Sequence, residues 1–110
     1  MKTAIIGSRD LIIEDLSPYM PEGTTEIVSG GARGIDACAK RYATENNINL
    51  TEFLPQYNKY ERNAPLKRNL EIIEYADRIV ALWDGKSRGT KFVIDGCKKL
   101  NKSITVIIIE

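Results

Sequence analysis

The stretch Ser29-Gly30-Gly31-Ala32-Arg33-Gly34-Ile35-Asp36 lies between a short apolar run and a segment whose apolar residues have helical spacing. Glycines at such a junction let the chain turn sharply from a strand into a helix and let backbone N–H groups point toward one centre. The positive end of the helix dipole adds to the attraction for an anion. The stretch predicts a strand-to-helix unit whose loop either binds phosphate or makes only a tight turn.

Apolar residues on either side of this stretch alternate between strand-like runs and helical stripes. Residues 35–43 repeat apolar positions at intervals of three and four, as one face of a helix does. Residues 77–83 are almost continuously apolar, which is typical of a strand covered on both faces. We expect residues 103–109, a β-branched run, to form another strand that is buried on both faces. The predicted strands are residues 2–6, 25–28, 49–54, 77–83 and 103–109, and the predicted helices follow the stripes at 35–43, 66–76 and 93–100.

Two segments carry no long periodic pattern. Pro18 and Pro21 limit residues 11–20 to a turn or two of helix. Residues 56–63 are polar and aperiodic, so we expect an irregular loop there.

Strands that alternate with helices predict βαβ units and a parallel sheet. Because crossover connections are right-handed, few strand orders remain. We expect a three-layer, Rossmann-like α/β domain with a five-stranded, mainly parallel sheet in the order 3-2-1-4-5. A chain of 110 residues fills one such domain, residues 1–110.

The composition excludes several classes of protein. With 43% apolar and 28% charged residues, the chain is that of an ordinary globular domain, and a net charge of +1 provides no general field for nucleic acid or membrane. Neither a membrane-spanning apolar run nor a signal-peptide pattern is present, so we expect a cytoplasmic protein. The sequence has no histidine, and Cys38 and Cys97 fall in helical patterns as buried thiols, so we expect no metal site and no cofactor.

Polar loops follow the first four predicted strands. In sheets of this type, ligands bind beyond the carboxyl ends of the strands where the strand order reverses, here between strands one and four. Arg9 and Arg33 provide planar donor groups suited to phosphate or carboxylate. Asp36 and Asp84 are candidates for a ribose hydroxyl partner or for acid/base catalysis, and Asp36 is explained equally well by the helix dipole. Ser87 and Thr90 are candidate caps of the third predicted helix.

Two common nucleotide motifs are absent. The pattern GxxxxGK[ST] does not occur, which excludes a P-loop NTPase. The glycine loop is not GxGxxG and follows the second strand, which argues against an ordinary dinucleotide dehydrogenase.

Four segments in order along the chain resemble the SLOG superfamily of Rossmann-like domains, which includes the DNA-processing protein DprA/Smf, LOG-type phosphoribohydrolases and small YspA/YpsA-related proteins. The segment SGGARGID at residues 29–36 is the most specific of them. The others are Gly7-Ser8-Arg9, Arg68-Asn69, and the loop at 84–90 with Asp84, Gly85, Ser87, Gly89 and Thr90. The greatest likeness is to the small stand-alone YspA-like members.

This resemblance implies a pocket for a nucleotide-like small molecule at the loop edge, and a homodimer. The implied pocket residues are Gly7, Ser8, Arg9, Ser29, Gly30, Gly31, Arg33, Gly34, Asp36, Arg68, Asn69, Ser87, Gly89 and Thr90. The phosphate-binding role of the family would fall on Gly30, Gly31, Arg33, Gly34, Ser87, Gly89 and Thr90.

The sequence departs from the catalytic pattern of the LOG-type enzymes. Those enzymes carry PGGxGTxxE after the fourth strand, whereas residues 84–93 contain no glutamate. We therefore expect binding or sensing of a nucleotide-derived ligand in preference to turnover. An alternative is N-glycosidic cleavage with Asp36 or Asp84 as the carboxylate. A second alternative is DprA-like binding of single-stranded DNA, which the near-zero net charge disfavours; it would use Arg62, Lys67, Arg68, Lys86, Tyr57, Tyr60 and Trp83.

Overall fold

Five parallel strands form a single sheet in the order β3-β2-β1-β4-β5 in the computed structural model, which describes residues 1–109. The predicted fold class and strand order are confirmed, and every strand pair is parallel. The strands are β1 (Lys2–Gly7), β2 (Glu26–Ser29), β3 (Asn49–Glu52), β4 (Arg78–Trp83) and β5 (Ile104–Ile108). The helices are α1 (Ile35–Glu45), α2 (Tyr57–Tyr60), α3 (Ala64–Tyr75) and α4 (Arg88–Lys99), with 3₁₀ turns at Ser17–Tyr19 and Glu61–Asn63.

Alternate residues of the central strands point into two separate cores. Ile5 and Ile27 pack under α1, together with Leu16 from the segment between β1 and β2. Ala4 and Val28 face the other way, where α3 and α4 cover them. Since α1 lies on one face while α3 and α4 lie on the other, a crevice remains at the carboxyl ends of β1 and β4.

The prediction that the last strand is buried on both faces is wrong. β5 pairs only with β4 among residues 1–109 and forms an edge of the sheet. Val106 is 38% exposed and Ile108 is 57% exposed, although Ile104 of the same strand packs against the core. A β-branched run fits an edge strand as well as a central one, so its composition does not determine burial.

Residues 56–63 are also not the irregular loop that the sequence predicts. The carbonyl oxygen of Gln56 accepts hydrogen bonds from the N–H groups of Lys59 and Tyr60 at 3.0 Å each, which closes the single turn of α2. Glu61, with φ of +51°, directly follows this turn and begins the 3₁₀ turn that leads into α3. A helix of four residues is too short to show a periodic apolar stripe, so its sequence resembles that of a loop.

Both cysteines are buried and unpaired in helices, as expected. Burial raises the pKa of the Cys97 thiol to about 11, which keeps it protonated and unreactive. None of the helices in residues 1–109 is long and apolar enough to cross a membrane.

Gly7 marks the closest approach between the sheet and α1. A Cβ atom there would lie 2.5 Å from Cγ1 of Ile35 and would also clash with the carbonyl oxygen of Leu82. We expect Gly7→Ala to lower the free energy of unfolding by about 2 kcal/mol, because a packed backbone cannot move aside.

Urea unfolding measures this loss, and Gly89→Ala is the matched control. A Cβ at Gly89, in the first turn of α4, meets nothing within 4 Å. That change should leave stability unaltered or raise it by about 0.5 kcal/mol. Equal stability of the two variants would contradict the close approach.

Candidate functional site

A cavity of about 510 Å³ opens at the carboxyl ends of the central strands, where the sequence predicts the site. It is lined by most of the predicted residues: Gly7, Ser8, Arg9, Gly30, Arg33, Asp36, Arg68, Asn69, Asp84, Ser87, Gly89 and Thr90. A second cavity of about 390 Å³ adjoins it and adds Gly31, Pro55 and Tyr57. Of the predicted residues, Ser29 and Gly34 line neither cavity.

Gly34 positions the glycine loop instead of contacting the cavity. Its φ is +72°, and a Cβ atom there would clash with the carbonyl oxygens of Arg9 and Ser8. The N–H of Ile35 donates to the same carbonyl of Ser8 at 3.4 Å. The loop after β2 is therefore held directly against the loop after β1. Ser29, completely buried, accepts a 3.4 Å hydrogen bond from the N–H of Gly31 and so supports the turn.

Ser8 connects three elements of the cavity wall. Its N–H donates to the carbonyl oxygen of Leu82 at 3.2 Å, and its hydroxyl accepts the N–H of Asp84 at 3.1 Å. Because Ser8 is 1% exposed and all of these bonds are internal, it fixes the loop after β1 against the loop after β4.

Arg68 reaches from α3 to the glycine loop. Its Nη1 donates to the carbonyl oxygen of Gly30 at 2.6 Å, and its Nε donates to Oδ1 of Asn69 at 2.8 Å. Both residues are buried, at 7% and 8% exposure. The pair therefore spans the crevice from α3 to the end of β2, and Arg68 does not belong to a solvated face of its helix.

Asp36 lies in the first turn of α1, and its carboxylate points back into the glycine loop. Its Oδ2 accepts the N–H of Ala32 at 3.2 Å. Burial raises the pKa of Asp36; the N–H of Ala32 and the positive charge of Arg68 oppose that rise only in part. A carboxyl group in this position is suited to exchange a proton or to accept hydrogen bonds from a ligand.

Three polar atoms on these buried side chains have no protein partner among residues 1–109: Nη2 of Arg68, Oδ1 of Asp36 and Nδ2 of Asn69. In the same residues, every fully buried side-chain nitrogen or oxygen does have a partner. These three atoms therefore still reach accessible space, and all three residues line the cavity. The cavity wall thus holds one acceptor and two donors for a ligand.

Asp84 has a different role from Asp36. Its Oδ1 accepts the N–H groups of Lys86 and Ser87 at 2.8 Å each, and these bonds hold its pKa below the ordinary value. Asp84 is thus an ionised turn residue whose Oδ1 is used within its own loop.

The prediction that Ser87 and Thr90 cap the last helix through their side chains is wrong. Ser87 occupies the N-cap position of α4 but makes no side-chain capping bond, and its hydroxyl lies 3.3 Å from that of Thr90. Asp84 satisfies the local N–H groups instead.

Exposed basic groups surround the cavity mouth. Arg33 makes a 3.4 Å ion pair with Asp10, with 75% and 85% of the two side chains exposed, so the pair contributes little stability. Arg9 makes no hydrogen bond to any of residues 1–109, and Lys86 is also exposed. These cations are free to turn toward an anion in the cavity.

Tyr57 and Trp83, two aromatic residues of the nucleic-acid alternative, differ in their surroundings. Tyr57 is 57% exposed beside the second cavity. Trp83 is half-buried, and its indole N–H donates to the carbonyl oxygen of Ser87 at 3.0 Å. Arg68, a phosphate contact in that alternative, is buried.

Sequence reasoning missed the apolar part of the cavity wall and the acidic residue at its mouth. Ile6, Leu66, Ile72 and Val93 line the cavity, as does Asp10. The four apolar residues belong to strand or helix patterns that indicate only core packing. Asp10 follows Arg9 in a polar loop, and this adjacency was the available signal.

No group of three metal-ligating His, Cys, Asp or Glu side chains comes together in residues 1–109. Comparison of the chain with protein-family models, curated proteins and solved structures finds no match.

We expect the pKa of Asp36 to lie above the ordinary aspartate pKa of 3.8 and the pKa of Asp84 to lie below it. Folding raises the pKa of Asp36, so its contribution to stability is present at acid pH and is lost as pH rises through the raised pKa. Folding lowers the pKa of Asp84. Its contribution to stability is therefore present above pH 3.8 and is lost as pH falls through the lowered pKa.

Carboxyl ¹³C NMR titration tests this ordering, with Asp36→Asn and Asp84→Asn assigning the two resonances. Asp36→Asn should also remove the decline in unfolding free energy that wild type shows as pH rises through the pKa of Asp36. An Asp36 resonance that titrates below that of Asp84 would contradict the assignment of roles.

Proposed function

We propose that this protein binds or senses a nucleotide or nucleotide-derived phosphate ligand in the cavity at the carboxyl edge of its sheet. The observation that carries the proposal is the set of three nearly buried polar side chains, Asp36, Arg68 and Asn69, each with an atom that has no partner in residues 1–109. Because these atoms are accessible, each can exchange a hydrogen bond to water for one to a polar ligand.

The chemistry of the wall fits a nucleotide. The free carboxylate oxygen of Asp36 can accept hydrogen bonds from ribose hydroxyls, and the guanidinium of Arg68 can donate to phosphate. Ile72 and Val93 provide apolar surface for a base. The volume of about 510 Å³ lies within the usual range for small-molecule sites, roughly 300 to 1,000 Å³.

The resemblance of the loop sequences to the SLOG superfamily supports the same class of ligand. It also supports a homodimer, which we include in the proposal together with the cytoplasmic location expected from the sequence. The missing glutamate after β4 favours binding over turnover.

Isothermal titration calorimetry with nucleoside monophosphates and diphosphates and with nicotinamide nucleotides tests the proposal. We expect at least one of these nucleotides to bind. Asp36→Asn should weaken its binding about 10-fold, because a charged acceptor becomes neutral. Arg33→Ala should also weaken binding. Asp95→Asn, on the exposed face of α4, is the matched control and should bind like wild type.

No heat at millimolar ligand, together with no ligand-induced rise in Tm, would overturn the proposal. Equal binding by wild type and Asp36→Asn would remove the carboxylate from the site.

The raised pKa of Asp36 favours one second candidate function, the cleavage of an N-glycosidic bond. In that reaction, the bond between ribose C1 and the base nitrogen breaks, water adds to C1, and the base leaves with a proton. Asp36 would act on the attacking water or stabilise the positive sugar.

The test is to incubate the protein with the nucleotides that bind and to measure the release of free base by chromatography. Activity should fall by about 100-fold or more in Asp36→Asn, as expected for loss of a general base, and should persist in Asp95→Asn. Binding without any release of base by wild type would exclude this candidate and leave the binding proposal intact.

A further inference from the structure

Both helix starts that face the cavity already hold a carboxylate of the protein itself. The N–H of Ala32, in the loop that leads into α1, donates to Asp36, and those of Lys86 and Ser87, before α4, donate to Asp84. A phosphate at either place would have to displace an acidic group and would then lie beside its negative charge. These three backbone N–H groups are therefore poorly placed to bind the anionic part of a ligand.

Three arginines provide an alternative where the two cavities meet. Arg9, Arg33 and Arg68 line both cavities, together with Gly30 and Ala32. We call these three residues the arginine wall. Arg68 is held rigidly by Gly30 and Asn69 and keeps Nη2 free, whereas Arg9 and Arg33 are exposed and can adjust.

Charge is distributed unevenly between the two cavities. The larger is lined by Asp10, Asp36 and Asp84 as well as by basic residues. No acidic residue is among those that line the smaller one, which has the arginine wall. The smaller cavity thus has three arginines and no carboxylate in its lining, and a nucleoside, which is neutral, suits the larger cavity better than a phosphate does.

We infer that the arginine wall binds a terminal phosphate or diphosphate of the ligand at the junction of the cavities, while the nucleoside part occupies the larger cavity beside Asp36 and Asn69. This inference rests on the proposed nucleotide binding and adds the orientation of the ligand. Three guanidinium groups match a terminal phosphate, which carries nearly two negative charges at neutral pH, better than a phosphodiester, which carries one.

The experiment compares full-length wild type with Arg9→Gln, Arg33→Gln, Lys86→Gln and Lys99→Gln by calorimetry. The probes are a nucleoside 5′-monophosphate found to bind, its parent nucleoside, its 5′-methyl phosphodiester, and inorganic pyrophosphate. Arg9→Gln and Arg33→Gln change exposed residues, so both variants should fold normally. Lys86 precedes the start of α4 and lines the larger cavity, and Lys99 lies at the far end of that helix.

We expect each arginine variant to bind the monophosphate and pyrophosphate about 10-fold more weakly than wild type, corresponding to about 1.4 kcal/mol. Affinity for the nucleoside should not change. The phosphodiester should bind several-fold more weakly than the monophosphate. Lys99→Gln should behave like wild type with all four probes, and Lys86→Gln should weaken binding of the monophosphate less than either arginine variant does.

Loss of monophosphate binding in Lys86→Gln, with normal binding in both arginine variants, would overturn the inference and place the phosphate at α4. Equal affinity for monophosphate and phosphodiester would overturn the choice of a terminal phosphate. If pyrophosphate binds through the arginines but no nucleotide binds, the arginine wall stands and the proposed function fails. If neither pyrophosphate nor any nucleotide binds, both the inference about the arginine wall and the proposed function fail.

Discussion

The hydrogen bond from the buried guanidinium of Arg68 to the carbonyl oxygen of Gly30 determines the shape of the carboxyl edge of the sheet. It joins α3 to the loop after β2 across the crevice that the reversal of strand order creates. A charged group is stable there only because Gly30 and Asn69 accept its hydrogen bonds and because Asp36 lies nearby. The remaining donor of Arg68 opens into the cavity.

The two carboxylates of the cavity show how one residue type serves different purposes. Asp84 accepts two backbone N–H groups, so its pKa falls and it organises a turn. Asp36 accepts one, is nearly buried, and has a raised pKa with one oxygen open to the cavity. Each accepts backbone N–H groups that lie just before the start of a helix.

The parts of the fold that depend on long periodic patterns were predictable. The stripe of α1 and the continuous apolar run of β4 are confirmed, because each reflects burial that the fold requires. The burial of β5 was not predictable, since β-branched residues suit edge and central strands alike. Nor was the single turn of α2, whose formation depends on local hydrogen bonds and not on a stripe.

The sequence by itself determined the α/β class, the strand order and the edge at which the polar loops gather, because alternating patterns and right-handed crossovers leave few arrangements. Only the tertiary structure decided which polar residues face the cavity. Arg68 and Asn69 read as polar positions on a helix, and Asp36 and Asp84 were equal candidates. Their roles differ because desolvation and hydrogen bonding depend on neighbours that are distant in the chain, such as Gly30 for Arg68.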